Sequence, residues 1–226
     1  MTLLAHAIAA APPAALSHAG LRGRPLSWSE TVAGLGLWST EWAPDIKLER
    51  PDALEHHRLV ERIYAAQPCL PVRFGTAFES ALEARSSLDG RAAALRAALT
   101  RVAGKSELAL TLLWREPLEP AAIQSAAGPG RRYMEARRAE YTAQEARQAR
   151  AASLVERLIA ELAIERPLVW HRTCTSASVA VSLAVLVPTE RAPERKSDLA
   201  RITERFTDVV PVVNGPWPPY TFAGIE

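Results

Sequence analysis

Between Lys105 and Phe222 the apolar residues change their period element by element, and that succession limits the fold more than any other feature of the chain. "SELALTLLW" alternates, with Leu108, Leu110, Leu112 and Trp114 on one side, the period of a half-buried strand. A loop carrying Pro117, Pro120 and "GPG" at 128–130 follows, then a long helix from about Arg131 to about Glu165. "PLVWHRTC" and "ASVAVSLAVLVP" read as a hairpin around "TSAS". In its second strand Val179, Val181, Leu183, Val185 and Val187 share a face. The opposite face holds Ala180, Ser182 and Ala184, small enough for a helix to lie close. A helix with Leu199, Ile202 and Phe206 on one side, with Ser197 as its expected cap, and "VVPVV" complete the series. The order βαββαβ is that of a ferredoxin-like domain, an antiparallel sheet with two helices on one face.

The first half of the chain is punctuated more often. Leu3–Ile8, Pro25–Ser29 and Leu35–Thr40 read as short strands, divided by turn residues around Pro12, Gly20 and Gly23 and by "ETVAG". "ERPDALEHHRLVERIYAAQ" predicts a helix that starts at Pro51 and carries an apolar stripe of Leu54, Val60, Ile63 and Tyr64. "CLPVRFG" is a short strand ending at Gly75. Ser86–Val102 reads as one helix, with Leu88, Ala92, Leu95, Leu99 and Val102 on one face, a Ser86/Asp89 capping box and Gly104 as its closing glycine. The expected division is therefore an N-terminal α+β domain over 1–104 and a ferredoxin-like domain over 105–226 that includes the long helix and a closing Pro/aromatic arm.

Composition narrows the function classes. The 226 residues suffice for one large or two small domains, and 48% hydrophobic against 23% charged residues is a globular balance. A net charge of +2 lacks the basic surplus of a nucleic-acid binder. No apolar run reaches the roughly 18 residues of a membrane span. The start, "MTLLAHAIAAAPPAAL", has the apolar character of a signal peptide, but no Lys or Arg precedes the run and two prolines stand where small residues should lead to cleavage; a strand is the favoured reading. Cys69 and Cys174 are far apart and in no metal spacing, which predicts reduced thiols in the cytosol and neither disulfide nor zinc.

Four stretches are candidates for function. The first half of the long helix, "RRYMEARRAEYTAQEARQARAA", has few large apolar groups, whereas Leu154, Leu158, Ile159 and Leu162 form a stripe in its last part. The first half is either a solvated face held by pairs such as Glu135 with Arg138 or a partner surface. His56 and His57, about 100° apart on a helix, are not the i, i+4 pair of a zinc helix, and a structural or exposed role is favoured over a general base. In "LPVRFGTAF" Arg73 ends an apolar strand beside Gly75; a structural ion pair is favoured over a phosphate or carboxylate site. "GPWPPYTF" lacks the PxxP spacing of a polyproline ligand, and predicts instead a rigid arm laying Trp217, Tyr220 and Phe222 over a sheet edge. No GxSxG, HExxH, paired CxxC, Walker A or GxGxxG motif occurs.

"LPVRFGTAF" after a His-containing helix, "GRRYMEARR" at 130–138 and the closing "GPWPPYTFA" together resemble the gas vesicle protein F/L family, over most of the chain from about Leu3 to Ala223. Met134 stands where that family usually has Leu, a volume-conserving change. The resemblance implies a two-domain α+β fold with a ferredoxin-like C-terminal domain. It implies a non-catalytic protein without metal or cofactor, made with the gas-filled shells that give microbes buoyancy, located at the gas vesicle and in the cytoplasm. Its implied partners are the small hydrophobic shell protein and other vesicle accessory proteins, with neither nucleic acid nor membrane among them. The family-motif residues here are Arg73, Phe74, Gly75, Gly215, Pro216, Trp217, Pro218, Pro219 and Tyr220. The candidate partner surfaces are Tyr133, Met134, Arg137 and Tyr141 on the long helix and, separately, the aromatic arm at 215–222. Two rivals stand beside this reading: a ligand-binding regulatory protein with a ferredoxin-like domain, and an enzyme using His57 and Arg73.

Overall fold

The computed structural model describes residues 2–224 apart from 11, 13–15, 17, 18, 32, 44–46, 117–127, 164, 166 and 167; Pro117 and Pro120 lie outside the described residues. The chain forms two compact units. The first runs to Glu107 and takes the chain back from Trp217 onward, and the second is Leu108–Pro216. The boundary thus falls after Glu107, not at Gly104, and the closing segment belongs to the first unit, not the second. The cause is local: the buried Glu107 carboxylate accepts hydrogen bonds from the Thr221 backbone N–H (2.8 Å) and hydroxyl (2.7 Å).

The first unit contains β1 (Thr2–Ala9), β2 (Leu26–Glu30), β3 (Gly36–Trp42), α1 (Arg50–Ala66), β4 (Cys69–Pro71), β5 (Ala77–Phe78), α2 (Ala81–Asp89) and α3 (Ala92–Val102). Its sheet has the order β2-β3-β1-β4, and β5 also pairs β1. β1 and β3 are antiparallel from Thr2↔Trp42 to Ala9↔Gly36, with a bulge between Ala5 and Ala7 that leaves His6 as the extra residue. Gly36 is required because a Cβ there would collide with the Trp28 ring, which packs 5.1 Å from that of Trp38.

α1 begins at a capping box in which Glu49 and Asp52 exchange side chain and backbone, with proline in the first turn. Its inward face is Asp52, His56, Leu59, Val60 and Ile63; Leu54, expected in the stripe, is 63% exposed. Polar Asp52 and His56 occupy the turns that an apolar pattern would have given to Leu54. The single helix expected over 86–102 is two helices. Ser80, not Ser86, caps the first by accepting from Glu83 N–H, and Arg91, with φ −121° and ψ 13°, breaks the run beside Gly90. The expected Leu88, Leu95, Leu99 and Val102 are buried, and Gly104, at φ +68°, does close α3.

The second unit contains most of β6 (Lys105–Trp114), then α4 (Pro129–Leu162), β7 (Val169–Thr173), β8 (Val179–Pro188), α5 (Ala192–Thr203) and β9 (Val209–Trp217). The strand order is β7-β8-β6-β9, with β7 and β8 antiparallel. α4 starts on Pro129 and stops three residues before the expected Glu165, where Ala163 turns to φ +48°. α5 opens at Ala192 with proline in its first turn, so Ser197 lies inside it and bonds back to the Pro193 carbonyl.

One core joins Leu108, Leu110, Leu112 and Trp114 to Leu154, Val155, Leu158 and Leu162 of α4 and Leu199 and Ile202 of α5. Val181, Leu183, Val185 and Val187 belong to it, so the helices pack chiefly on the valine face of β8; of the small-residue face, where a helix was expected, only Ala180 joins the cluster. The large side chains fill the space between layers, and each such leucine contributes about 2 kcal/mol by leaving water. β9 continues past "VVPVV" through Pro216 to Trp217 as an edge strand, where a missing proline N–H is tolerated. Among the described residues no helix is long and apolar enough to cross a membrane, and both cysteines are free thiols.

Candidate functional site

The hydrophobic core takes its first α4 side chain at Ala151. N-terminal to it the helix turns large groups outward: Tyr133 is 65% exposed, Met134 55% and Tyr141 56%. Tyr133, Arg137 and Tyr141 step by four residues and so share one side of the helix. The Arg137 guanidinium lies 5.3 Å from the Tyr141 ring centroid and donates to Glu140 at 3.3 Å. Tyr141 first, and then the Glu140 carboxylate, hold Arg137 above its ordinary value. Arg131 pairs with Glu135 at 3.1 Å, in place of the expected Glu135–Arg138 pair. The row is an aromatic, apolar and cationic strip with exposed ion pairs alongside it.

The 73–75 motif is a turn. Thr76 N–H donates to the Arg73 carbonyl at 3.1 Å, and Gly75 takes φ +87°, the left-handed conformation that such a turn needs. Phe74 meets the His56 ring edge-on at 5.4 Å. Arg73 is exposed, and its guanidinium makes no hydrogen bond or ion pair among the described residues; the structural ion pair favoured from sequence is not found there. Instead Arg73 lines a cavity of about 320 Å³ with Leu70, Phe78, Leu88 and Ala223.

The closing motif is shared by the two units. Gly215 (φ +100°) and Pro216 stand just before the last residue of β9, with a cis peptide bond between them, and the Gly215 carbonyl accepts from Lys196 Nζ at 2.7 Å. From Trp217 the chain packs in the first unit. Trp217 stands edge-on to His57 at 6.2 Å and Tyr220 lies 5.9 Å from the same ring. Pro218 and Pro219 are buried, Phe222 is buried, and its carbonyl accepts from Arg101 at 2.9 Å. The arm expected to blunt a sheet edge is thus pinned by α1, α3 and Glu107. Burial, and to a smaller extent Cys69 and Glu61, raise the Tyr220 hydroxyl above its ordinary range. His57 also faces Glu61 at 3.4 Å, and is not among the residues lining the Arg73 cavity.

Sequence reasoning missed a buried polar row in the first unit. His6 Nδ1 lies 3.0 Å from His56 Nδ1, His6 Nε2 lies 2.8 Å from Thr40 Oγ1, and His56 Nε2 lies 3.0 Å from the Val72 carbonyl. A carbonyl only accepts, so His56 carries its proton on Nε2 and must accept at Nδ1. His6 then donates from Nδ1 and accepts the Thr40 hydroxyl proton at Nε2, while the Leu21 N–H reaches Thr40 Oγ1 at 3.4 Å. Every group is satisfied with both rings neutral. Burial, and then His56, push His6 down to about 3. Burial lowers His56 too, against its bond to Val72. The bulge in β1 aims His6 inward, and the one available signal was a histidine inside an otherwise apolar strand.

A model of the gas vesicle synthesis protein GvpL/GvpF family matches residues 3–224. The crystal structure of gas vesicle protein GvpF from Anabaena sp. PCC7120 is similar, with a TM-score of 0.74 at 20% identity, covering 100% of this chain and 97% of that one. GvpF from Microcystis aeruginosa is similar with a TM-score of 0.75 at 18% identity, covering 99% of each chain. No curated protein sequence matches.

Proposed function

Because the chain belongs to the GvpL/GvpF family of gas vesicle synthesis proteins, we propose that it is a non-catalytic assembly factor, acting at the vesicle and in the cytoplasm, that binds the hydrophobic vesicle shell protein before it enters the wall. The physical need is plain. A shell that keeps water from a gas space must present a strongly apolar face, and apolar strands left exposed pair with one another. A partner that covers such a strand or face delays that aggregation.

The observation that carries the reading is the outward row Tyr133, Met134, Arg137 and Tyr141 on α4. Aromatic and arginine side chains are the groups that most often anchor protein interfaces. The second unit supports the reading as a platform: its βαββαβ order and its strand order β7-β8-β6-β9 fit a ferredoxin-like domain with one extended helix. Other vesicle accessory proteins are further partners of the same kind. Coexpression with the shell protein tests the proposal. The expected result is a soluble complex that co-purifies, and shell protein that stays insoluble and unbound in the presence of this chain would overturn it.

A further inference from the structure

We propose that the cavity of the first unit is a binding site for a small amphiphilic carboxylate, a molecule with an aliphatic body and an anionic head. The two stretches that look most distinctive in the sequence, 70–78 and 217–223, both reach this cavity, which is a convergence that core packing alone does not require. Its volume of about 320 Å³ lies at the lower end of the range of roughly 300–1,000 Å³ usual for small-molecule sites. Its walls are aliphatic and aromatic: Ile8, Leu37, Leu70, Phe78, Leu88 and Leu95.

Two cations line the same space. Arg73 and Arg91 are both exposed, and neither guanidinium has a hydrogen bond or ion pair among the described residues. Among the described lining residues there is no Asp or Glu to neutralise them. Two unpaired guanidiniums beside an apolar hollow complement a carboxylate, whose planar oxygens match the guanidinium fork. The backbone of the Arg73 turn is fixed by its own hydrogen bond and by Gly75, so only the arginine side chain has to order on binding. Ser87 and Thr76 are the polar uncharged residues of the lining. A neutral apolar ligand would leave both guanidiniums unused, and a bare anion would leave the hollow unfilled.

Calorimetric titration of the full chain with octanoate tests this, with acetate as head alone and octanol as body alone. The expected result is saturable binding of octanoate only. Arg73→Gln and Arg91→Gln should each weaken it about tenfold with an unchanged circular dichroism spectrum. Ser87→Phe, which fills the hollow from the half-buried side of α2, should abolish it. Absence of saturable octanoate binding overturns the proposal. So does equal affinity in the Arg73→Gln/Arg91→Gln double variant, or binding of acetate or octanol as tight as that of octanoate.

Discussion

The two sheets of this molecule solve the same packing problem with different materials. In the second unit the interior is mainly aliphatic, from β6, β8, α4 and α5, and its buried Thr203 hydroxyl bonds to carbonyls of its own helix. In the first unit the apolar cluster of Ala7, Leu26, Trp38, Leu59 and Ile63 shares the interior with His6, Thr40 and His56, all buried and joined end to end by hydrogen bonds. An apolar core tolerates small shifts, because dispersion and water exclusion are not directional. A buried polar row does not, because a partner lost leaves a desolvated group unpaired. The first unit therefore depends more on hydrogen-bond geometry across its core and the second more on volume.

The sharpest way to break the contrast is to delete volume in one unit and polarity in the other. Leu158→Ala, at a fully buried site, should destabilise the second unit by about 3 kcal/mol, read by chemical denaturation. His56→Ala should cost the first unit about 2 kcal/mol, because it leaves the His6 N–H without an acceptor. The double variant His6→Leu/His56→Leu, which replaces both partners with apolar groups, should cost less than His56→Ala alone. A larger loss in the double variant would show that shape, not pairing, governs the site.

Acid sharpens the same comparison. The folded value of His6 is about 3 against an ordinary 6.5, so between those limits the unfolded chain binds a proton that the folded chain does not. The contribution is therefore present above pH 6.5 and is lost as the pH falls, by about 2 kcal/mol from pH 7 to pH 5. His56, also lowered, acts in the same direction. Burial raises Glu107, which acts in the opposite direction, since the folded chain takes up that proton first. The difference between wild type and the His6→Leu/His56→Leu variant isolates the histidines. It should fall and change sign as the pH goes from 7 to 5, and a difference that is independent of pH would contradict the neutral-pair geometry.

The legibility of the sequence follows the same divide. β6, β8 and the last turns of α4 could be placed because period and apolar identity coincide at Leu108, Leu110, Leu112 and Trp114 and at Leu154, Leu158 and Leu162. The valine face of β8 was visible, but which face the helices cover depends on layer volume, not on period. In the first unit Leu54 was read inward and Asp52 and His56 were not, because their burial depends on Arg22 and His6, which lie far away in sequence. The break at Gly90 and Arg91 was hidden by an apolar pattern that runs straight through it. Arg73, Phe74 and Gly75 read as the end of a strand, but that strand stops at Pro71 and the three form a turn; the cavity beside them could not be read at all, since its lining comes from segments as distant as Ile8 and Gly224.

The exposed half of α4 stands outside this contrast and should behave oppositely to both cores. Glu135→Ala, which removes the surface pair with Arg131, should change stability by less than about 0.5 kcal/mol in urea unfolding. The most direct test of the assembly reading is the affinity for purified shell protein of the Arg137→Ala/Tyr141→Ala variant beside the wild-type chain. Both positions are exposed, so folding should be unaffected. The account predicts binding weakened at least about tenfold with an unchanged unfolding midpoint. Undiminished binding by a folded variant would contradict it.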